Sequence, residues 1–209
     1  LCAGHGIPHQ ILKVKVPNGN LQDMARLARY RALHEWAGGR GLGAIATAHH
    51  ADDQAETLIM RLNRASGIAG LAGVRLRTVV PGTDMPLLRP LLGWRRTDLG
   101  ALVKAAGLDA VQDPSNEDMR FDRVKIRQAL VGCDWLDPAA LAMSASHLAD
   151  VEGVMVWVTQ REWAEAVQVS EDAIIYRPLA PAAIRLRIVG RAIALLSGLK
   201  VFLPQQGQL

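Results

Sequence analysis

Cysteine is almost missing: Cys2 and Cys133 are the only two among 209 residues, and no Cys-x-x-Cys pair occurs. This leaves no disulfide framework and no zinc knuckle, and predicts a reducing, cytoplasmic setting. No apolar run reaches the roughly 18–20 residues of a membrane span, so no membrane association is expected. The opening stretch LCAGHGIPHQILKV has no basic region leading into an apolar one, and reads as no secretory signal. Internal repeats and low-complexity tracts are missing too. Charge imbalance is small, a net +4 with a pI near 9.4, which permits a polyanionic partner without demanding one.

Half of the residues are apolar, enough for a globular core in a chain of this length. HQILKVKV (9–16) alternates loosely and predicts a strand. After the turn residues NGN, LQDMARLARYRALHEWAG (21–38) places Leu21, Met24, Ala25, Ala28, Leu33 and Trp36 at helical spacing and stops at Gly38–Gly39. LGAIATA (42–48) is continuously apolar, as in a strand buried on both faces. Strand, helix, strand is a βαβ unit, so the fold class is α/β: a Rossmann-like parallel sheet with flanking helices. Further along, TLIMRLNRA reads as helix, SGIAGLAG (66–73) as a glycine-rich loop and VRLRTVV (74–80) as a strand. RRTDLGALVKAAG (95–107) reads as a helix with Thr97 or Asp98 at its start, QDPSNED (112–118) as a turn, and FDRVKIRQAL as a helix. Residues 137–167 predict one long helix, with Asp137 as cap and Pro138 at its first position. AIIYRPL (173–179) reads as a strand and 181–198 as a closing helix. The composition shift near 131–137 marks a domain boundary between residues 1–133 and a mainly helical part, 134–209.

The densest chemistry lies in ATAHHADDQAETLIMRL (46–62), where His49, His50, Asp52, Asp53 and Glu56 follow a predicted strand end. Open parallel sheets bind ligands there, beyond the carboxyl ends of their strands. Asp53 and Glu56 are spaced i, i+3 and share a helix face, able to receive a cationic amine or Mg²⁺. The competing explanation is a helix N-terminus, where the dipole favours acids. A dinuclear-metal site also starts from a word like HHADD, but the other histidines form no ligand-spaced pair with an acid. Arginines supply the opposite charge: Arg26 and Arg29, Arg61 and Arg64, Arg89, and Arg120, Arg123, Lys125 and Arg127 within RFDRVKIR. Arginine suits bidentate phosphate contact; Arg95 and Arg96 read as an ordinary solvated helix face. Carboxylates, a glycine-rich run and arginines together point to a phosphate-bearing substrate.

MARLARY, TAHHADDQAETLIMRL, ASGIAGLAG, LLRPLL, DPSNED and FDRVKIR occur in this order. Over residues 1–130 they closely resemble the tRNA(Ile)-lysidine synthetases of the N-type ATP-pyrophosphatase (PP-loop) superfamily; residues 131–209 resemble that family's linker helix and small helical domain only loosely. The resemblance implies a C–N bond-forming ligase that uses ATP and Mg²⁺. ATP adenylates C2 of the wobble cytidine in a CAU-anticodon isoleucine tRNA. Free L-lysine then attacks through its ε-amine, and AMP leaves. It also implies roles. Asp53 and Glu56 match the acidic pair assigned to lysine, and Arg123 and Arg127 match an arginine word assigned to transition-state charge or the tRNA backbone. Arg29, with Arg26 as the near alternative, and His49, Asp52, Arg64 and Gly67 fall on the ATP side. Ala65 stands where the family usually has glycine, and Val124 where it favours asparagine. No residue is assigned as a metal ligand, and a homodimer is one option for the assembly. The family's Ser-Gly-Gly-x-Asp-Ser loop, whose backbone N–H groups would cradle pyrophosphate, is not found in these 209 residues. Nor is the family's more distal C-terminal tRNA-binding region. The expectation is a piece of a longer enzyme, inactive by itself. A tRNA thiolase or amidotransferase-type synthetase of the same superfamily, and a non-catalytic tRNA-binding remnant, remain as alternatives.

Overall fold

A computed structural model of the chain describes residues 2–15, 21–110 and 117–198. Helix α1 (Leu21–Gly38) matches the expected span. Its buried Tyr30 and Ala37 pack with Ile45, Val80 and Leu87, and Leu33, Trp36 and Met85 close the cluster. Ile45, Val80, Met85 and Leu87 lie in or beside a three-stranded sheet of β1 (Ile45–Ala46), β2 (Arg77–Val79) and β3 (Pro86–Leu88), in the order β1-β3-β2. β1 and β3 are parallel, with Ile45 opposite Leu87 and Ala46 opposite Leu88. β2 and β3 form an antiparallel hairpin, so the sheet is mixed within the α/β class. Leu87 sits at the centre, 1% exposed.

Several local expectations change. Residues 7–15 form no strand. They run as irregular, largely exposed chain, held where the Gln10 side-chain oxygen accepts Trp36 Nε1–H at 2.7 Å and Arg40 Nη2–H at 2.6 Å. β1 is buried on one face only: Ile45 meets α1, while Ala46 is exposed. The glycine-rich run contains a single helical turn, α3 (Ile68–Leu71). LLRPLL contributes β3, which the sequence reading did not assign; Pro86 opens the strand, a position that needs no ladder donor. The expected turn at 112–118 lies mostly outside the described residues.

α2 (Ala51–Leu62) follows β1 directly. α4 (Arg96–Ala105) has Thr97 and Asp98 in its first turn, near its start as expected, and starts without a side-chain cap. α5 (Asp122–Val131) buries Val124. The long α6 (Pro138–Ala166) starts as expected, with the Asp137 carboxylate accepting the Ala139 and Ala140 N–H groups at 2.9 and 3.3 Å. Small side chains let it lie close to α2 and α3: Ala55, Ala72 and Ala145 are fully buried. α6 ends one residue before Val167, which begins β4 (Val167–Val169), paired antiparallel with β5 (Ile174–Tyr176). The sequence reading had only β5 there. Glu162 of α6 ties the hairpin down, accepting Tyr176 O–H at 2.8 Å and the Leu179 and Ala180 N–H groups at 2.8 and 3.0 Å. α7 (Ala182–Leu196) docks on α6 through Ile184, Ile188 and a two-pronged Arg187–Glu152 pair at 2.8 and 2.7 Å. Among the described residues no helix is long and apolar enough to cross a membrane.

Candidate active site

The acidic cluster lies just past β1, where α2 begins. His50 takes the N-cap position in extended conformation. Its Nδ1 accepts the Asp53 N–H at 3.4 Å, and Asp53 Oδ2 accepts the His50 N–H at 2.9 Å. This reciprocal capping box satisfies two donors that a helix start leaves open. Helix capping therefore accounts for His50 and for one oxygen of Asp53. It does not account for Glu56.

Glu56 lies one turn further in and is only 2% exposed. Two arginines from α5 converge on it. Arg123 donates through Nε to Oε2 at 2.7 Å, and Arg127 through Nε to Oε1 at 2.6 Å and through Nη2 to Oε2 at 3.3 Å. Arg123 also reaches the Asp53 carbonyl at 3.3 Å, Thr57 Oγ1 at 3.4 Å and Asp53 Oδ1 at 3.4 Å. The hydrogen bond to Glu56 raises the Arg127 guanidinium above its ordinary range, so it is charged at every working pH. A buried carboxylate needs such partners, because an unpaired charge there would cost several kcal/mol.

Arg123 and Arg127 also line a cleft of about 1010 Å³ between α1 and α5. Arg26 and Arg29 line it from α1, with Trp36 and Phe121 among the apolar residues of its wall. Four guanidiniums beside apolar and aromatic surface suit an anionic ligand that carries a flat ring.

The remaining expected residues have other partners. Asp52 accepts the Arg96 N–H at 2.7 Å and contacts Arg95 at 3.3 and 3.4 Å. Arg95 reaches on to Asp137 at 3.3 Å. Burial raises the Asp52 carboxyl, but the Arg96 N–H and the Arg95 guanidinium outweigh it and hold it below the ordinary carboxylate range. Asp52 thus joins the starts of α2, α4 and α6. Among the described residues the side chain of Arg64, largely exposed, reaches only Asp122 at 3.5 Å. Gly67 caps α3 in extended conformation with nothing near its Cα that a methyl would meet. Neither residue lines the arginine cleft.

His49 bonds Thr47 Oγ1 at 2.9 Å. Burial pulls its pKa down; Asp53 opposes this, and Arg89, Arg123 and Arg26 add to it. Its imidazole is neutral at pH 7. Arg89, named among the arginines of the sequence but given no role there, follows β3 and is 3% exposed. Its Nη1 donates to the Arg75 carbonyl at 2.7 Å and to Thr78 Oγ1 at 3.1 Å, while Nε has no partner. Burial lowers its pKa, against the attraction of Tyr30. Its signal in the sequence is an arginine inside the apolar word LLRPLL. Among the described residues, no three His, Cys, Asp or Glu side chains are placed to hold a metal ion.

Residues 1–133 match the PP-loop domain family. The chain belongs to the PP-loop family. This PP-loop chain is 46% identical over 202 residues to a tRNA(Ile)-lysidine synthase of Novosphingobium aromaticivorans, covering 95% of the chain and 62% of that protein. It is 39% identical over 203 residues to the tRNA(Ile)-lysidine synthase of Zymomonas mobilis, again covering 95% and 62%. A Pseudomonas aeruginosa protein of the same name is 39% identical over 160 residues, 74% of the chain and 35% of that protein. The chain thus spans about 62% of the length of the first two relatives.

Proposed function

We propose that this protein is part of an ATP-dependent ligase that joins free L-lysine to C2 of the wobble cytidine in a CAU-anticodon isoleucine tRNA. Residues 1–133 form its catalytic domain, and 134–209 the linker helix and a small helical domain. The reaction runs in the cytoplasm through an adenylated base. ATP transfers AMP to the cytidine C2 oxygen and releases pyrophosphate. The lysine ε-amine, having lost its proton, attacks C2. The C–O bond breaks and AMP departs.

The observation that carries this reading is the convergence of two distant words. HHADDQAE supplies Asp53 and Glu56, and FDRVKIR supplies Arg123 and Arg127, on adjoining helices beside an arginine-lined cleft. Negative charge develops on phosphate oxygens and on the leaving AMP, and fixed guanidiniums meet it without reorganising. An ammonium nucleophile requires a carboxylate to place it before deprotonation, which assigns the acidic pair to lysine. His49, being neutral, can accept or donate a hydrogen bond at the nucleotide, and Arg26 and Arg29 add charge on the ATP side. Mg²⁺ accompanies ATP on its own phosphates, which typically supply much of that ion's coordination.

The test follows AMP release from labelled ATP by the full-length gene product, with unmodified isoleucine tRNA and with or without free lysine. Lysine-dependent AMP release with lysine incorporated into tRNA supports the assignment. AMP release that ignores lysine moves the protein to another PP-loop substrate. tRNA binding without ATP turnover makes it a binding remnant.

A further inference from the structure

The two carboxylates of the acidic pair stand in different surroundings. Glu56 is 2% exposed, and both of its oxygens receive guanidinium N–H groups, three bonds in all between 2.6 and 3.3 Å. A carboxylate offers about four acceptor sites, and here the arginines hold most of them out of reach of solvent. An incoming ammonium would have to displace an arginine from a buried pair. The Asp53 side chain is 15% exposed; its Oδ2 accepts the His50 N–H at 2.9 Å, and among the described residues its Oδ1 has only a long 3.4 Å contact with Arg123.

The arginines show the complementary pattern. Arg123 is anchored through Nε and Nη2, and so is Arg127. Among the described residues, Nη1 of neither makes a protein hydrogen bond, and both side chains line the cleft that Arg26 and Arg29 also line. One carboxylate set against two guanidiniums removes much of their mutual repulsion and leaves net positive charge toward the cleft.

We propose that the acidic pair divides its work: Asp53 alone receives the amine, and Glu56 is a positioning residue that holds Arg123 and Arg127 for the anionic substrate. This rests on the ligase reading above and changes its lysine site from two carboxylates to one. A shift of about 1 Å in either guanidinium would cost on the order of 100-fold in rate, so the effect of Glu56 belongs to the chemical step.

Steady-state AMP release by the full-length gene product separates the two roles. Glu56→Gln is expected to lower kcat about 100-fold and leave the KM for lysine within about twofold. Asp53→Asn raises the KM for lysine about tenfold or more. A Glu56→Gln enzyme with near-normal kcat and a tenfold higher KM for lysine overturns the proposal. Because a lone neutral partner can unsettle two arginines, the charge-matched Glu56→Gln/Arg127→Gln variant is measured beside it, with the same expectation for lysine. A second readout needs no turnover. In protein carrying ¹⁵N-labelled arginine, inorganic pyrophosphate shifts the Nε–H signals of Arg123 and Arg127, L-lysine leaves them in place, and Glu56→Gln abolishes the pyrophosphate response. No pyrophosphate response in the wild type, or a shift by lysine instead, refutes the positioning role. AMP release that ignores lysine refutes only the ligase reading.

Discussion

Asp52 offers a sharp separation between two roles. The resemblance places it in the nucleotide pocket; the structure spends its carboxylate on the backbone of Arg96 at 2.7 Å and on Arg95 at 3.3 Å. Arg95 passes the link to Asp137, the cap of α6. A hydrogen bond to a charged group contributes about 1.5–3 kcal/mol, and the Asp52 side chain is 20% exposed. Asp52→Ala removes the Arg96 bond and leaves Arg95 with only Asp137. The expected loss is about 2–3 kcal/mol, roughly 4–12 °C in melting temperature for a chain of this size. Asp52→Asn keeps one acceptor and loses about half of that.

The depressed Asp52 carboxyl adds a pH signature. A carboxyl whose folded pKa lies below its unfolded value of about 3.9 stabilises the fold above that value. The contribution fades as pH falls through the folded pKa. The gap between wild type and Asp52→Asn is therefore full at pH 7 and shrinks below about pH 4. Thermal melts followed by circular dichroism at pH 7 and pH 3.5 measure it, and a double-mutant cycle with Arg95→Gln should return a coupling of about 1–2 kcal/mol. Melting unchanged within 1 °C, together with a raised KM for ATP, would return Asp52 to the nucleotide and refute the bracing role.

Gly73 holds φ +61°, and a Cβ there would sit 2.5 Å from Gln54 Oε1. Gln54 cannot yield, since its amide both accepts the Val74 N–H and donates to the Val74 carbonyl, each at 2.7 Å. Gly73→Ala should cost about 3 kcal/mol in urea unfolding, the sum of left-handed strain and a broken amide pair; a change below 0.5 kcal/mol would contradict this. Ala65 is the opposite case, a left-handed alanine at φ +50°. Ala65→Gly relieves roughly 1–2 kcal/mol of strain against about 0.5–1 kcal/mol of added chain entropy, so a small gain in stability is expected, and a loss would count against the argument. His49, whose pKa burial lowers, stays neutral in the fold while the unfolded chain takes up a proton near pH 6.5. Stability should therefore fall as pH drops below about 6.5, and His49→Gln should flatten that part of the profile; an unchanged slope would show that the imidazole is not held neutral.

The elements legible in the sequence are those whose cause is local. α1 follows from apolar spacing and Gly38–Gly39, and the start of α6 from Asp137 capping its own next residues with Pro138 behind it. Residues 9–16 carry the alternation of a strand, but alternation describes one edge of a ladder and a strand needs two; β1 takes its parallel partner from β3 instead. β3 escaped notice because it is three residues long, opens on Pro86 and is followed by Pro90. The same limit governs the site. Spacing put Asp53 and Glu56 on one helix face, and the words around them brought Arg123 and Arg127 into consideration. No local pattern tells an acid that faces a cleft from one that faces an arginine 67 residues away. Arg95 read as a solvated charge for the same reason, since Asp52 lies 43 residues before it and Asp137 lies 42 after. The functional residue types were visible in the sequence. Which carboxylate oxygen stays open to a ligand depends on pairings between distant segments: Arg123 and Arg127 hold both oxygens of Glu56, whereas Asp53 gives Oδ2 to the helix cap and, among the described residues, meets only Arg123 with Oδ1, at 3.4 Å.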